Sequence, residues 1–111
     1  MRALRVLAAA ALEAQEAARW YEDQRAGLGR EFREALRASL DTLCEGRVPG
    51  VAWPGRLGER GVKRISLKRF PFHLVFVVSG ETSVVLAAAH RRRRPGYWRD
   101  RLTRAVPASK P

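Results

Sequence analysis

Residues 70–90 read FPFHLVFVVSGETSVVLAAAH and contain a single formal charge. Their length approaches the roughly 20 residues that an apolar helix needs to span a bilayer. Pro71 and the polar stretch 79–83 divide the segment into two short apolar runs, however. Short apolar runs bounded by turn residues are typical of strands that are buried on both faces. The segment therefore predicts a β-hairpin of two interior strands, 72–78 and 83–89, and not a membrane helix.

The residues just before this hairpin, 62–68, alternate between aliphatic and cationic side chains. Ile65 and Leu67 fall on one side of the pattern, and Arg64 and Lys68 fall on the other. Successive side chains of a strand point to opposite faces of its sheet. The alternation therefore predicts a further strand that buries one face and presents cations on the other.

Two amphipathic helices are predicted upstream of the strands. From about residue 9, apolar side chains recur at spacings of three and four, with no proline or glycine before Gly27. A second helix with a leucine- and phenylalanine-lined face covers about 28–45, and Gly46 and Pro49 signal its end. Because Gly27 and Gly29 make the connection a short turn, we expect the helices to pack as an antiparallel hairpin.

The order of the predicted elements is typical of an α+β domain. A short strand over 3–7 precedes the helices, a loop over 47–61 follows them with Trp53 as its anchor, and three strands come next. The fold class is α+β, with the helical hairpin packed on one face of a mostly antiparallel sheet of about four strands. A basic C-terminal tail follows, with a short helix around 97–104. Residues 1–105 are expected to form one domain, and 106–111 a frayed tail.

The positive charge of the chain is concentrated in its second half. Residues 1–55 hold eight arginines and eight acidic residues, which cancel. Residues 56–111 hold fourteen Lys or Arg and three acidic residues, so they carry the whole net charge of +11. Such a division indicates a neutral scaffold with a cationic working surface, and its expected partners are polyanions: a nucleic acid, an acidic protein segment or both.

The cations cluster near the ends of two predicted strands. If these strands are neighbours, their guanidinium groups share one surface, and guanidinium matches phosphate and carboxylate oxygens bidentately. Aromatic side chains beside the cluster can stack on exposed bases. The alternative is a solvated charge run with Trp98 packed beneath it. The candidate residues for binding a target or nucleic acid are Arg64, Lys68, Arg69, Arg91, Arg92, Arg93, Arg94 and Trp98.

His90 ends the last apolar run and opens the run of arginines. A neutral imidazole in that position can act as a general base on a ribose hydroxyl, while the arginines stabilise developing negative charge. The alternative is a structural histidine that bonds the backbone at a strand end. If RNA is cleaved, the catalytic candidates are His90, Arg92 and Tyr97.

Metal and cofactor chemistry is not expected from the sequence. His73 and His90 are the only histidines, and neither has a cysteine or carboxylate at ligand spacing. The Gly27–Gly29 pair lies between helices and not after a strand, which favours a turn over a phosphate-binding loop. The single Cys44 cannot form an internal disulfide, which is typical of a reducing cytosol.

Several strings together resemble the RelE/ParE toxin superfamily of type II toxin–antitoxin systems. They are EAARWYEDQRAGLGREF at 16–32, RFPF at 69–72 and HRRRRP at 90–95. GYW at 96–98 is similar to the ParE-like branch, whose members are often called plasmid stabilisation proteins. The resemblance covers about residues 3–102.

The resemblance implies a small cytoplasmic protein that arrests growth and that a cognate acidic antitoxin holds inactive in a hetero-oligomer. RelE-like members cut messenger RNA on the ribosome without a metal, whereas ParE-like members poison DNA gyrase. By position, the RNA-cleaving site would receive Arg64, Lys68, His90, Arg92 and Tyr97.

Two departures from the RNA-cleaving pattern weaken the nuclease interpretation. His73 stands where several RNA-cleaving members have an arginine, and no carboxylate fills the general-base place that some of them use. A third departure, Arg94 where many ParE-like relatives have an acidic residue, increases the basic character.

Three hypotheses follow from the sequence. The leading one is a toxin that inhibits an essential target, DNA gyrase or the ribosome, by binding it. The second is a ribosome-dependent, metal-independent mRNA endoribonuclease. The third is a nucleic-acid-binding module without toxicity. None of the three involves a membrane or a cofactor.

Overall fold

The apolar runs of residues 70–90 form the centre of a five-stranded sheet. In the computed structural model, which describes residues 2–45 and 50–105, strand β4 (Phe72–Ser79) turns at Gly80 into strand β5 (Thr82–His90). The two strands pair antiparallel along their whole length. The hairpin prediction is confirmed, and no helix in the described ranges is apolar and long enough to cross a bilayer.

The remaining elements follow the predicted order. The predictions for the end of the second helix at Gly46 and Pro49, and for the tail 106–111, lie outside the described residues. The other elements are β1 (Ala3–Val6), α1 (Ala8–Gln24), α2 (Leu28–Glu45), β2 (Val51–Ala52), α3 (Arg56–Glu59), β3 (Val62–Ser66) and α4 (Arg99–Ala105).

The sheet has the strand order β1-β5-β4-β3-β2. Only the β1–β5 pair is parallel, and the other three pairs are antiparallel. The α+β class with a helical hairpin on a mostly antiparallel sheet is confirmed. The sheet has one strand more than predicted, because β2 lies in the predicted loop 47–61, as does α3. Elements of two and four residues are too short to leave a periodic pattern in a sequence.

The helical hairpin covers one face of the sheet with an aromatic core. The ring centres of Tyr21 and Phe32 are 5.3 Å apart, and Phe70 lies 4.9 Å from Tyr21 and 5.2 Å from Phe32. Small side chains of α1, including the buried Ala10 and Ala18, let the helix approach the sheet closely. Aromatic pairs of this geometry add to the stability that burial provides.

A second core lies on the opposite face. Its buried members come from the strands and from the C-terminal segment, with α4 supplying Leu102. Trp98 is 1% exposed there, and the half-buried Trp53 packs against it. The prediction that Trp53 anchors its loop to the core is confirmed. The sheet is therefore buried on both faces, which explains why β4 and β5 are apolar along their length.

The connection between α1 and α2 requires glycine twice. Gly27 has a φ of 90°, a backbone conformation that side chains disfavour. The N–H groups of Gly27 and Gly29 donate to the carboxylate of Glu22 at 3.1 Å, which satisfies the start of α2 and places negative charge at its positive end. A Cβ on Gly29 would lie 2.6 Å from the carbonyl oxygen of Ala18. The two helices therefore meet backbone to backbone at Gly29.

We predict that Gly29→Ala lowers the free energy of unfolding by about 1–3 kcal/mol, as overpacking does elsewhere. Helix propensity alone predicts the opposite sign, a gain of up to about 1 kcal/mol. Urea unfolding followed by circular dichroism measures the change. The control is Arg30→Ala at the exposed neighbouring position, with an expected change within about 0.5 kcal/mol. A Gly29→Ala protein as stable as wild type would contradict the close approach.

Candidate functional site

The sheet register places three basic side chains on one face: Arg64 of β3, His73 of β4 and Arg91, which directly follows β5. Ser66 of β3 pairs with His73 of β4, and His73 pairs with Ala89 of β5. Paired residues share a face, as do residues two apart along a strand. Arg64 and Arg91 therefore lie on the same face as His73, opposite the helical hairpin. We call Arg64, His73 and Arg91 the basic triplet.

The basic triplet lines an open cleft of about 480 Å³ with Val51, Ile65 and Ser66. The guanidinium of Arg91 donates to the hydroxyl of Ser66 at 3.2 Å, and its backbone N–H donates to the carbonyl of Pro71 at 2.9 Å. The first contact holds the Arg91 side chain toward β3, and the second continues the pairing of β5 with the β4 side of the hairpin by one residue.

The half-buried His73 lies between the two arginines. Burial lowers the pKa of its imidazole, and the positive charges of Arg64 and Arg91 lower it further. The triplet therefore combines two permanent cations with an imidazole that is held neutral near neutral pH.

Among the residues that the structure describes, no acidic side chain forms an ion pair with Arg64 or Arg91. Within residues 2–45 and 50–105, the ion pairs involve Arg25, Arg30, Arg69 and Arg101, and not Arg64 or Arg91. Uncompensated guanidinium groups in a concave site favour an anionic ligand, because the walls of a cleft focus their field. The cleft can bind a phosphate or a carboxylate bidentately.

Two tryptophans form the floor beside the triplet. The guanidinium carbon of Arg64 lies 5.7 Å from the ring centre of Trp53, and the His73 ring meets that indole edge-on at 5.8 Å. Trp98 packs edge-on beneath Trp53 at 4.9 Å. The prediction that Trp98 stacks on exposed bases is wrong, because the ring is buried. It acts as support for Trp53 and through it for Arg64 and His73.

The arginine run after β5 spreads in several directions. Arg93 and Arg94 line a narrower cleft of about 210 Å³, which also contains Arg64, His73 and Arg91. The guanidinium carbon of Arg93 lies 4.0 Å from the ring centre of Tyr97. The side chain of Arg92 is exposed, and its backbone N–H donates to the imidazole of His90.

The hydroxyl of Tyr97 is bound by the carboxylate of Glu13 on α1. Its hydroxyl donates to Glu13 Oε2 at 2.7 Å, and Arg101 donates to both oxygens of Glu13 at 2.9 and 3.0 Å. Burial and the hydrogen bond to Glu13 raise the pKa of the Tyr97 hydroxyl. The Tyr97 hydroxyl therefore keeps its proton and donates a hydrogen bond to Glu13, which argues against the predicted role of Tyr97 in RNA cleavage.

Two of the predicted binding residues, Lys68 and Arg69, lie in the turn after β3. Arg69 has a φ of 68° in the turn after β3, and its guanidinium lies 3.8 Å from the carboxylate of Glu31 on α2. The turn therefore directs Arg69 to the helical hairpin and away from the basic triplet, so its predicted place in the cluster is wrong. Lys68 is exposed in the same turn.

His90 lies on the face opposite Arg64, because it pairs with Phe72 on the helix side of the sheet. Its ring meets Phe72 edge-on at 5.1 Å, and its Nδ1 accepts the backbone N–H of Arg92 at 3.0 Å. Nδ1 of His90 is occupied as an acceptor, so this nitrogen is not free to take a proton from a ligand. The register and the Nδ1 hydrogen bond fit the structural alternative. His90 also lines the narrower cleft together with Arg64 and His73, so its predicted place beside Arg64 stays a prediction.

An apolar groove opens on the helix side of the sheet. It encloses about 320 Å³ between α1, α2 and β5, and Arg33 lies at its edge. Leu36 and Leu40 of α2 line it, and Val6 of the edge strand β1 is 39% exposed beside it. The groove is separate from the basic triplet, which lies on the other face of the sheet.

Sequence reasoning missed His73, Ser66 and Glu13 as parts of the site. The signal for His73 and Ser66 was available in principle, because alternation along β3 and β4 puts both on the side of Arg64. That signal needs the strand register, which the sequence leaves open. Nothing in the sequence marks Glu13, because its partners lie 75 to 88 residues away.

Comparison with known proteins supports the fold. No protein-family model and no curated protein matches the sequence. Among solved structures, a chain of "Chromosomal ParDE TA system from P. aeruginosa" superposes with a TM-score of 0.60. The match covers 81% of this chain and 96% of the other, at 20% sequence identity. The two chains share a fold, and the resemblance drawn from the sequence is confirmed at that level.

We predict that the pKa of His73 lies below its usual 6.5 and rises when inorganic phosphate binds, because the anion offsets Arg64 and Arg91. In the window between the lowered folded pKa and 6.5, the unfolded state binds more protons. The free energy of unfolding should therefore fall as the pH decreases through this window. NMR titration of the imidazole measures the pKa, and His73→Gln assigns the signal.

Arg91→Gln is the matched variant for this titration, and it should move the pKa of His73 back toward 6.5 without phosphate. A histidine that titrates at 6.5 or above in the free protein, or that ignores phosphate, would contradict the anion site.

Proposed function

We propose that this chain is the toxin of a type II toxin–antitoxin pair and that it inhibits an essential cellular target through the basic triplet. Residues 1–105 then form the toxin domain, which works in the cytoplasm. The target is DNA gyrase or the ribosome with its mRNA. Inhibition takes place by binding, without a cofactor.

The observation that carries this proposal is the convergence of Arg64 and Arg91, without acidic partners in the described residues, on a fold shared with a chain of the ParDE system. Two neighbouring cations without acidic partners repel each other, so they do not contribute to the stability of the fold. Arg64 and Arg91 are 27 positions apart in the sequence, and strand pairing brings them together. Two permanent cations held close to each other form a preorganised anion site. The ribosome and its mRNA are rich in phosphate, and DNA gyrase acts on DNA, whose backbone carries phosphate.

The partner that fits the other face is an acidic antitoxin. The apolar groove along α2 and β5 can receive alternate apolar side chains of an extended or helical segment. Arg33 at the groove edge and the net charge of +11 attract a segment rich in carboxylates. Toxin and antitoxin would then form a hetero-oligomer in which the antitoxin covers the groove.

Binding is favoured over catalysis because two of the three predicted catalytic groups are occupied. Nδ1 of His90 accepts a backbone hydrogen bond, and the hydroxyl of Tyr97 donates to Glu13. One observation favours a ribonuclease as the second candidate function: the imidazole of His73 is held neutral between two arginines. In that case His73, and not His90, would be the general base.

Induced expression in a bacterial host, gyrase supercoiling and cell-free translation with purified protein together test the function. We expect growth arrest and inhibition in one of the two assays. Replacing Arg64 and Arg91 by Ala should raise the inhibitory concentration at least about tenfold, because each charged hydrogen bond contributes about 1.5–3 kcal/mol. Arg30→Ala with Arg37→Ala removes the same charge from exposed sites of α2 and should have little effect.

The outcomes separate the hypotheses. Cut mRNA in the translation assay, lost with His73→Gln and retained with His90→Ala, would establish the ribonuclease. Nucleic-acid binding without growth arrest or inhibition in either assay would overturn the toxin proposal in favour of the non-toxic module.

We further predict that a small acidic protein encoded beside this gene binds the chain and that its affinity falls about tenfold or more between about 50 mM and 500 mM NaCl, because salt screens the attraction. Arg33→Gln at the groove edge should weaken binding and flatten the salt dependence, whereas Arg30→Gln outside the groove should not. Titration calorimetry measures both. An affinity that is independent of salt would contradict an acidic antitoxin.

A further inference from the structure

We propose that Glu13 is a positioning residue of the cationic surface: through Tyr97 it holds the guanidinium of Arg93 in the cleft with Arg64 and Arg91. This inference rests on the proposed function only in taking that cleft as the working site. Glu13 lies on α1 and does not line either cleft that contains the basic triplet. Its effect on binding is therefore indirect.

The carboxylate of Glu13 accepts four hydrogen bonds. Oε1 accepts from the backbone N–H of Ala88 at 3.1 Å and from Arg101 Nη1 at 2.9 Å. Oε2 accepts from the Tyr97 hydroxyl at 2.7 Å and from Arg101 Nη2 at 3.0 Å. The side chains of Glu13 and Arg101 are 14% and 16% exposed. A charged pair so far from water is stable only with its hydrogen bonds complete, and here the carboxylate has them.

The end of β1 and a bulge in β5 explain why Glu13 and Arg101 bind at this edge of the sheet. β1 ends at Val6, so the N–H of Ala88 has no strand beside it and donates to Glu13 instead. The register of β4 and β5 shifts between Val75 and Phe76, which leaves Leu86 as the extra residue of a bulge. The carbonyl of Leu86 accepts a hydrogen bond from Arg101 Nη1 at 3.0 Å.

The pair thus fixes the C-terminal segment to the sheet at two points, Tyr97 and Arg101. The arginine run 91–94, which lies between β5 and Tyr97, has no regular secondary structure, and its like charges repel one another. The Tyr97 ring, held by its hydroxyl, provides a face against which Arg93 lies at 4.0 Å. Arg101 also borders this ring, at 5.3 Å. Without the Glu13 carboxylate the Tyr97 ring is no longer fixed by its hydroxyl, and the Arg93 guanidinium that lies on the ring loses its fixed orientation.

The sign of the effect distinguishes positioning from simple electrostatics. Glu13 is a negative charge near a cationic site, so its removal should strengthen the binding of any polyanion if charge alone mattered. Positioning predicts the reverse, because a disordered Arg93 no longer meets the ligand in a fixed geometry. A purely structural role predicts unchanged binding per folded molecule.

The experiment measures the affinity of a fluorescein-labelled poly-glutamate peptide by anisotropy at low salt, with the folded fraction checked by circular dichroism. We expect Glu13→Gln to weaken binding about three- to tenfold, a typical coupling between contacting groups. Tyr97→Phe keeps the ring and loses only the hydroxyl, so it should fold and weaken binding about twofold or more. Glu16→Gln, the same charge change on an exposed position of α1, should leave affinity unchanged or slightly higher.

A double-mutant cycle tests whether Glu13 acts through Arg93. In an Arg93→Ala background, Glu13→Gln should cause no further loss of affinity, whereas independent effects would add. Folded Glu13→Gln protein that binds as tightly as wild type or tighter overturns the proposal. So does an additive cycle, and so does wild-type affinity for Tyr97→Phe.

The probe needs no cellular target, so the two proposals can fail separately. A wild-type protein that neither arrests growth nor inhibits gyrase or translation would refute the toxin while the Glu13 result stands. Growth arrest with undiminished peptide binding by Glu13→Gln would refute positioning and leave the toxin standing.

Discussion

The part-buried ion pair between Glu13 and Arg101 connects three parts of the chain that are distant in sequence. It joins the first helix, the irregular edge of β5 and the segment that carries the arginine run. Removing either member would leave an uncompensated charge in the protein, which costs far more than the pair contributes. The hydrogen bond with Glu13 raises the pKa of the Arg101 guanidinium, so the guanidinium keeps its charge over the whole physiological range. The position of the C-terminal segment therefore depends on this pair as well as on the packing of Trp98 and Leu102.

The sheet separates two tasks by its two faces. On the helix side, small and aromatic side chains bury the hairpin and leave an apolar groove. On the other side, Trp98 supports Trp53, and Trp53 lies against Arg64 and His73. Cations are exposed on this face because an apolar floor beneath them keeps the backbone in place without neutralising their charge. The apolar groove and the basic triplet are therefore accessible from different directions, as the proposed function requires.

Residue patterns were sufficient for the elements with strong periodicity. The helices, the central strands and the glycine turn at Gly27 all follow from spacings that local sterics impose. The same patterns failed for β2 and α3, which are too short to be periodic, and for Trp98, whose neighbours are charged although its ring is buried. Charge density indicated the half of the chain that supplies Arg64, His73 and Arg91. It could not show that Arg69 turns toward α2.

The amino-acid order alone specified the class of fold and the segregation of charge, because both arise from local propensities and from composition. The membership of the site came from long-range pairing. Strand register put Arg64, His73 and Arg91 on one face and His90 on the other, and a shift of one residue would have exchanged them. The contacts of Glu13 span at least 75 residues and depend on where β1 stops and where β5 bulges. Such contacts exist only after the chain has closed on itself, so no local pattern could encode them.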